Sequence, residues 1–184
     1  MVGGRRQDRR EQRSEERQGD GGARHYRMRQ KLVSIGDDYW IEDDRGRRAY
    51  KVDGKALRFR KTLVFEDADG HELLKIQERM LRLREAMEIE DQRGASVATV
   101  RKAMITPIRE RWTVKVGNGP DLDVRGNVLD HEYTIEDGRS LVAEVSKRWF
   151  RIADTYGVEI APGRDPAVLL AVAAVIDTMA HQDR

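Results

Sequence analysis

The sequence predicts a mainly β protein in which a closed antiparallel barrel of about twelve strands surrounds a buried, hydrophobic C-terminal α-helix. Three observations lead to this fold: a turn signal that recurs at a fixed spacing, strands that are apolar on one face, and one helix that is apolar on every side. Closing a sheet into a barrel removes its exposed edges, and a helix without a polar face needs protein around it. One barrel wrapped around one helix satisfies both requirements.

An internal repeat supplies the turns. The stretch Ile41-Glu42-Asp43-Asp44-Arg45-Gly46 is followed by similar stretches that begin at Phe65 and Ile89, each 24 residues after the one before, and a looser copy begins at Ile135. In each copy an Asp opens a turn and a Gly near its end supplies a positive φ, which is the pattern of a β-hairpin. A sequence repeat of fixed period indicates the architecture of the fold, and this repeat predicts a series of consecutive antiparallel hairpins.

The segments between the turns mostly alternate between apolar and charged residues. Leu57 and Phe59 alternate with Arg58 and Arg60, and the same Leu-Arg alternation returns at 81–84. This alternation is typical of a sheet with one face in a core and one in water. The predicted strands are 26–34, 39–42, 48–52, 62–66, 72–78, 85–90, 97–100, 111–116, 122–128, 132–135, 141–147 and 157–160.

One part of this sheet has an alternative interpretation as a helix. Residues 72–90 are rich in Leu, Lys, Glu, Arg and Met, which are good helix formers. We favour two strands, because turn signals flank the segment and its Leu-Arg-Leu-Arg alternation has a period of two.

The C-terminal helix is predicted to begin after Asp165, a good N-cap, with Pro166 at the first helical position. Residues 167–176 are apolar on all sides, but they make up only about half of the ~20 residues that a transmembrane helix needs. We therefore predict a helix enclosed by protein, and we expect that a chain ending at Gly163 does not fold. Asp177, the first charged residue of the helix, is expected near the rim of the barrel, capped or solvated, and not buried without a partner.

Length and composition predict one domain behind an N-terminal tail. Residues 1–25 are mostly Arg, Glu, Gln, Asp and Gly and are predicted to be disordered, while 26–182 form a single barrel domain. The tail holds 7 of the 35 basic and 5 of the 33 acidic residues, which leaves 28 of each in the body and gives no support for nucleic-acid binding. The absence of Cys excludes disulfides and thiolate zinc sites, and the absence of an apolar signal-peptide core predicts a cytoplasmic protein.

Candidate catalytic and metal-binding groups are few. Asp130-His131-Glu132-Tyr133 is the only compact group of acid–base residues, but strand neighbours face opposite ways, so His131 is interpreted as a turn residue before a strand. Asp67-Ala68-Asp69-Gly70 starts like a calcium loop but lacks the remaining ligands, so turn chemistry explains these acids. Glycine loops for phosphate and nucleophile elbows do not occur in the sequence. We predict no enzyme, no metal site and no cofactor.

Several stretches, in their order along the chain, are similar to segments of a known family. They are Met28–Leu32, Asp53–Leu57, Gly126–Ile135, Val145–Phe150, Asp154–Val158 and the closing Asp-capped helix. Through them the chain from about Tyr26 to Ala180 resembles the LURP-one-related proteins, part of the tubby C-terminal-like superfamily that also includes the phospholipid scramblases. The resemblance implies a closed barrel of about twelve antiparallel strands around a C-terminal hydrophobic helix, in agreement with the fold predicted from the residues.

The same resemblance directs the search for a function to the outside of the barrel, because tubby proteins bind phosphoinositide head groups through basic residues there. The residues expected to form an outward basic set are Arg58, Arg60, Lys61, Arg82, Arg84, Arg101 and Lys102, and Arg109 and Arg111 follow them. Arginine suits bidentate recognition of phosphate, although such a set also fits a solvated exterior balanced by acids. The first hypothesis is weak binding of anionic phospholipid head groups by a protein that is peripheral at the membrane. The alternative is a protein-interaction or scaffold domain that uses the rim or the tail.

Overall fold

The structure is a computed structural model that describes residues 22–29, 39–53, 56–57, 60–81, 84–106, 109–138, 140–149 and 155–181. Within these ranges it contains thirteen strands and one helix. The strands are β1 (Arg24–Arg29), β2 (Tyr39–Asp43), β3 (Arg48–Asp53), β4 (Ala56–Leu57), β5 (Arg60–Asp67), β6 (Glu72–Leu81), β7 (Arg84–Asp91), β8 (Ser96–Thr106), β9 (Arg109–Val116), β10 (Leu122–Asn127), β11 (Glu132–Asp137), β12 (Ser140–Ser146) and β13 (Thr155–Ile160). The helix is α1 (Pro166–His181).

All the strands except β4 form a closed antiparallel ring. Their order is β3-β2-β1-β13-β12-β11-β10-β9-β8-β7-β6-β5, and β5 pairs back onto β3, with Tyr50 opposite Asp67. The two-residue strand β4 adds to β5 beside this pairing. Closure leaves no long edge that could pair with another chain. The predicted closed barrel of about twelve strands is confirmed.

The repeated turns are confirmed, and all three lie at one end of the barrel, which we call the aspartate end, defined by Asp43, Asp67 and Asp91. Each Asp is the last residue of its strand, and its Oδ1 accepts hydrogen bonds from the backbone amides two and four residues later. The hydrogen bond from the His71 amide holds the pKa of the Asp67 carboxyl below its ordinary value. The glycines that close the turns have φ angles of 73°, 86° and 78°, which a residue with a Cβ adopts only at a cost.

Residues 72–90 form two paired strands, so the alternative of a helix is wrong. The register between β6 and β7 runs from Leu74 opposite Asp91 to Leu81 opposite Arg84. The side chains of Ile76 and Ile89 lie opposite each other and are fully buried. Residues with high helix propensity form strands here, because burying every second side chain in the core outweighs their intrinsic preference for a helix.

The helix α1 is enclosed by the barrel, as predicted. Asp165 caps it, because its Oδ1 accepts a hydrogen bond from the Ala167 amide at 2.9 Å. Every residue from Leu169 to Ala180 is buried, and all of them except Asp177 and Thr178 belong to one hydrophobic core with the inner residues of the strands. Within the described ranges, no helix is both long enough and apolar enough to cross a membrane.

The N-terminal boundary differs slightly from the predicted one. Strand β1 begins at Arg24, so Arg24 and His25, which the sequence assigned to the tail, pair with β13 in the barrel. The predicted disorder of the remaining tail falls on residues that lie outside the described ranges, with the exception of Gly22 and Ala23.

Candidate functional site

Arginines mark the end of the barrel opposite the repeated turns. Three hairpins turn there: Leu57 pairs with Arg60 in β4–β5, Leu81 with Arg84 in β6–β7, and Thr106 with Arg109 in β8–β9. The strands β5, β7 and β9 therefore each begin with an arginine. Because neighbours in an antiparallel sheet alternate in direction, these three strands start from the same end. We call it the arginine end, defined by Arg60, Arg84 and Arg109.

The strand register brings two further arginines close to this end. Arg79 of β6 and Arg101 of β8 both pair with Ala86 of β7, from its two sides. Since neighbouring strands are about 4.8 Å apart, their backbones lie roughly 10 Å from each other. Arg111 of β9 pairs with Ala103 and forms an exposed ion pair with Asp123 at 3.2 Å.

The predicted basic set is only partly described by the structure. Arg60, Arg84 and Arg101 lie in strands at or near the arginine end, and Lys61 follows Arg60 in β5. Lys102 differs from the rest of the set: it pairs with the buried Trp112, and its Nζ lies 5.6 Å from the centroid of that ring. Adjacent strand residues face opposite sides, so Lys102 belongs to the inner side and not to the outward row of Arg101. Arg58 and Arg82 lie outside the described residues.

Exposed apolar side chains lie in two connections between strands. Leu129, between β10 and β11, is 39% exposed, and Trp149, between β12 and β13, is 38% exposed. Beside Trp149, the side chain of Arg148 is 83% exposed and approaches Glu132 at 3.4 Å. The Trp149 ring lies 6.1 Å from the ring of His25 in β1, so it packs along the wall of the barrel, whereas Leu129 lies in the connection at the arginine end.

A second site, which the sequence did not predict, lies inside the barrel. Nε2 of His131 and Oδ1 of Asp177 are 2.5 Å apart, and each side chain is only 1% exposed. His131 has a φ of 53°, in the left-handed region that few residues other than glycine occupy. Its ring packs against that of Tyr156, with 4.3 Å between the centroids. The β10–β11 connection is thereby joined to α1 and β13.

Three tyrosines surround this pair. The hydroxyls of Tyr39, Tyr133 and Tyr156 are buried, and none has a hydrogen-bond partner in the part of the chain that the structure describes. Burial raises the pKa of each phenol well above its ordinary value, and the nearby charge of Asp177 raises the pKa further. We call these five residues, Asp177, His131, Tyr39, Tyr133 and Tyr156, the buried polar cluster.

The cluster corrects one expectation and confirms others. Asp177 lies near one end of the barrel, as expected, because its partner His131 is in the β10–β11 connection; the expected solvation is wrong, since the side chain is buried, and the expectation that it is not buried without a partner is confirmed by His131. His131 is a turn residue directly before β11, as predicted, and the four residues 130–133 do not converge: Asp130 is exposed, and Glu132 accepts hydrogen bonds from Ser146. Strand alternation gave no signal for the cluster, because His131 lies in a turn with a left-handed backbone and its partner is 46 residues away.

The group Asp67, Asp69 and His71 brings three ligand atoms within 4.8 Å of one another at the aspartate end. Both oxygens of Asp67 are already engaged there, Oδ1 by two backbone amides and Oδ2 by Nδ1 of His71 at 3.0 Å. The turn accounts for these contacts.

Comparison with known proteins agrees with the barrel fold described above. A family model described as LURP-one-related matches residues 24–177. The X-ray structure of an Arabidopsis thaliana protein is similar to this one with a TM-score of 0.64 at 18% identity, over 86% of this chain and 92% of that chain. The uncharacterized protein YxjI of Bacillus subtilis (strain 168) is 29% identical over 66 residues, which are 36% of this chain and 41% of that relative. The similarity to YxjI thus spans less than half of its length.

Proposed function

The chain belongs to the LURP-one-related family, and we propose that it binds anionic phospholipid head groups through the arginine end of its barrel. The observation that carries this proposal is the register of three neighbouring hairpins, which begins β5, β7 and β9 with Arg60, Arg84 and Arg109 at one end. Arginine offers a planar fork of donors that matches phosphate oxygens. Since α1 fills the interior, the outside of the barrel is the surface left for a ligand.

The exposed apolar residues favour a membrane surface as the source of the phosphate. Leu129 lies in a connection at the arginine end, and Trp149, whose ring packs near His25 on the wall of the barrel, is of the residue type enriched where protein meets the interface between lipid and water. Each basic residue near an anionic membrane contributes roughly 1 kcal/mol, and salt screens the attraction. Binding is therefore weak, peripheral and sensitive to salt.

Co-sedimentation with vesicles tests this function. The full chain is mixed, at low and at high salt, with vesicles of neutral lipid alone, of neutral lipid with phosphatidylserine, and of neutral lipid with a phosphoinositide. The reversal Arg60→Glu with Arg84→Glu is expected to weaken binding to anionic vesicles at least roughly 30-fold, because two contributions of ~1 kcal/mol are lost. The matched control, Arg45→Glu with Arg93→Glu, makes the same charge change on exposed residues of the aspartate end and is expected to retain binding.

Equal binding to neutral and anionic vesicles at low salt would contradict the proposal, and so would equal losses in the two charge reversals. The alternative, a protein-interaction domain that uses the tail, predicts a different result. In that case a pull-down loses its partner when residues 1–21 are deleted, which leaves β1 intact, and vesicle binding is absent throughout.

A further inference from the structure

We propose that the buried polar cluster is a binding site for internal water, held by the hydroxyls of Tyr39, Tyr133 and Tyr156 beside the His131–Asp177 pair. Water binding in this cluster does not require lipid binding, although His131 lies in the β10–β11 connection at the arginine end. Its geometry stands on the 2.5 Å contact between His131 and Asp177 and on the packing of the His131 and Tyr156 rings at 4.3 Å.

The three tyrosine hydroxyls are the groups that indicate a bound water. Buried polar groups in native proteins are nearly always hydrogen-bonded, and a phenylalanine of almost the same shape would avoid the cost of an idle hydroxyl. Here three phenols, all buried and all without a partner in the described residues, lie at the starts of β2, β11 and β13, and these strands all begin at the end of the barrel where His131 lies. The charge of Asp177 acts on each of them, and Tyr156 also interacts with the other two. One bound molecule shared by them is the simplest hydrogen-bond partner for all three hydroxyls.

Water is the chemical class that fits. A guest placed between phenols and a carboxylate has to accept hydrogen bonds from O–H groups and also donate them, and water does both. Buried waters typically make about three hydrogen bonds to groups of this type. The three hydroxyls and the side chains of His131 and Asp177 are buried, and a water molecule is small enough to occupy a site of this kind.

Such a site would fix the position of α1. The surfaces of Ala, Val, Leu and Ile that cover most of the helix pack without strong directionality, whereas hydrogen bonds at Asp177 allow one depth and one rotation. Through one guest, Tyr39 of β2, Tyr133 of β11 and Tyr156 of β13 would be tied to the helix.

The sign of a stability change tests the proposal. In the full chain, Tyr39→Phe, Tyr133→Phe and Tyr156→Phe each remove one hydroxyl, and the midpoint of urea-induced unfolding is measured. Loss of a water ligand is expected to lower the midpoint in each variant. A raised midpoint would overturn the proposal, because it means that the hydroxyl was idle or unsatisfied.

A double-mutant cycle separates a shared guest from independent effects. Tyr133→Phe combined with Tyr156→Phe is expected to cost clearly less than the two single changes added together, because both remove ligands of the same water. The matched control combines Tyr133→Phe with Tyr26→Phe, since Tyr26 interacts with Arg24 and Tyr50 instead, and its effects are expected to add. Additive effects in both cycles would overturn a shared site.

Two measurements identify the guest. A high-resolution crystal structure is expected to show a water within hydrogen-bond distance of at least two of the three hydroxyls; a protein side chain or a metal ion at that position would overturn the proposal. Unfolding midpoints in sodium, potassium and choline chloride at equal ionic strength are expected to agree. A midpoint that depends on the cation would show an ion in place of water.

Discussion

At the scale of the residue, the contact between His131 and Asp177 matters most, because it places two ionisable groups in a core of hydrocarbon. Removing one partner of a buried ion pair typically costs about 3–5 kcal/mol. We expect Asp177→Ala to lower the free energy of unfolding by this amount in urea titrations. The control is Asp165→Ala at the exposed start of the same helix, where a lost N-cap costs only about 1 kcal/mol. Similar losses at the two positions would contradict the role given to the pair.

Gly126 supports the same region through its backbone. Its φ is 121°, and a Cβ at this position would lie 2.5 Å from the carbonyl oxygen of Glu132 and 2.8 Å from Cα of Tyr133. We expect Gly126→Ala to lower the melting temperature by considerably more than Gly138→Ala. Gly138 also has a positive φ, but it has open space around it, so only the backbone cost of about 1–2 kcal/mol applies there. Equal shifts would show that the close packing at Gly126 relaxes freely.

At the scale of the element, the sequence predicted the features that depend on residues close together in the chain. The turns that begin at Asp43, Asp67 and Asp91 follow from side-chain and backbone preferences within five residues, and the strands follow from alternation. The partner of Asp177 lies 46 residues away and depends on a left-handed backbone at His131, and no local pattern shows either fact. The place of Lys102 on the inner side could have been predicted, because it is two residues from the buried Val100.

The helix is the element on which the barrel depends. Its buried side chains fill the space that the strands enclose, so removing it would leave a cavity lined by the inner face of nearly every strand. A chain that ends at Gly163 is expected to lack cooperative thermal unfolding and native strand content, as measured by circular dichroism. The control chain ends at His181 and keeps the whole helix. Native strand content and cooperative melting of the shorter chain would contradict this dependence.

At the scale of the whole molecule, the two ends of the barrel differ in chemistry. The aspartate end is built from hydrogen-bonded turns, whereas β5, β7 and β9 begin with Arg60, Arg84 and Arg109 at the arginine end. The helix lies between these ends, buried against the inner residues of the strands. The proposals about lipid and internal water both depend on this arrangement, although each is tested separately.

Amide hydrogen exchange along α1 tests the enclosure of the helix most directly. If the barrel surrounds the helix on every side, the amides of 169–180 are protected until the whole domain unfolds. Their exchange should then report the same free energy as global unfolding in denaturant, and they should belong to the slowest class in the protein. Exchange of these amides by local opening, at a free energy well below the global value, would contradict the enclosed helix.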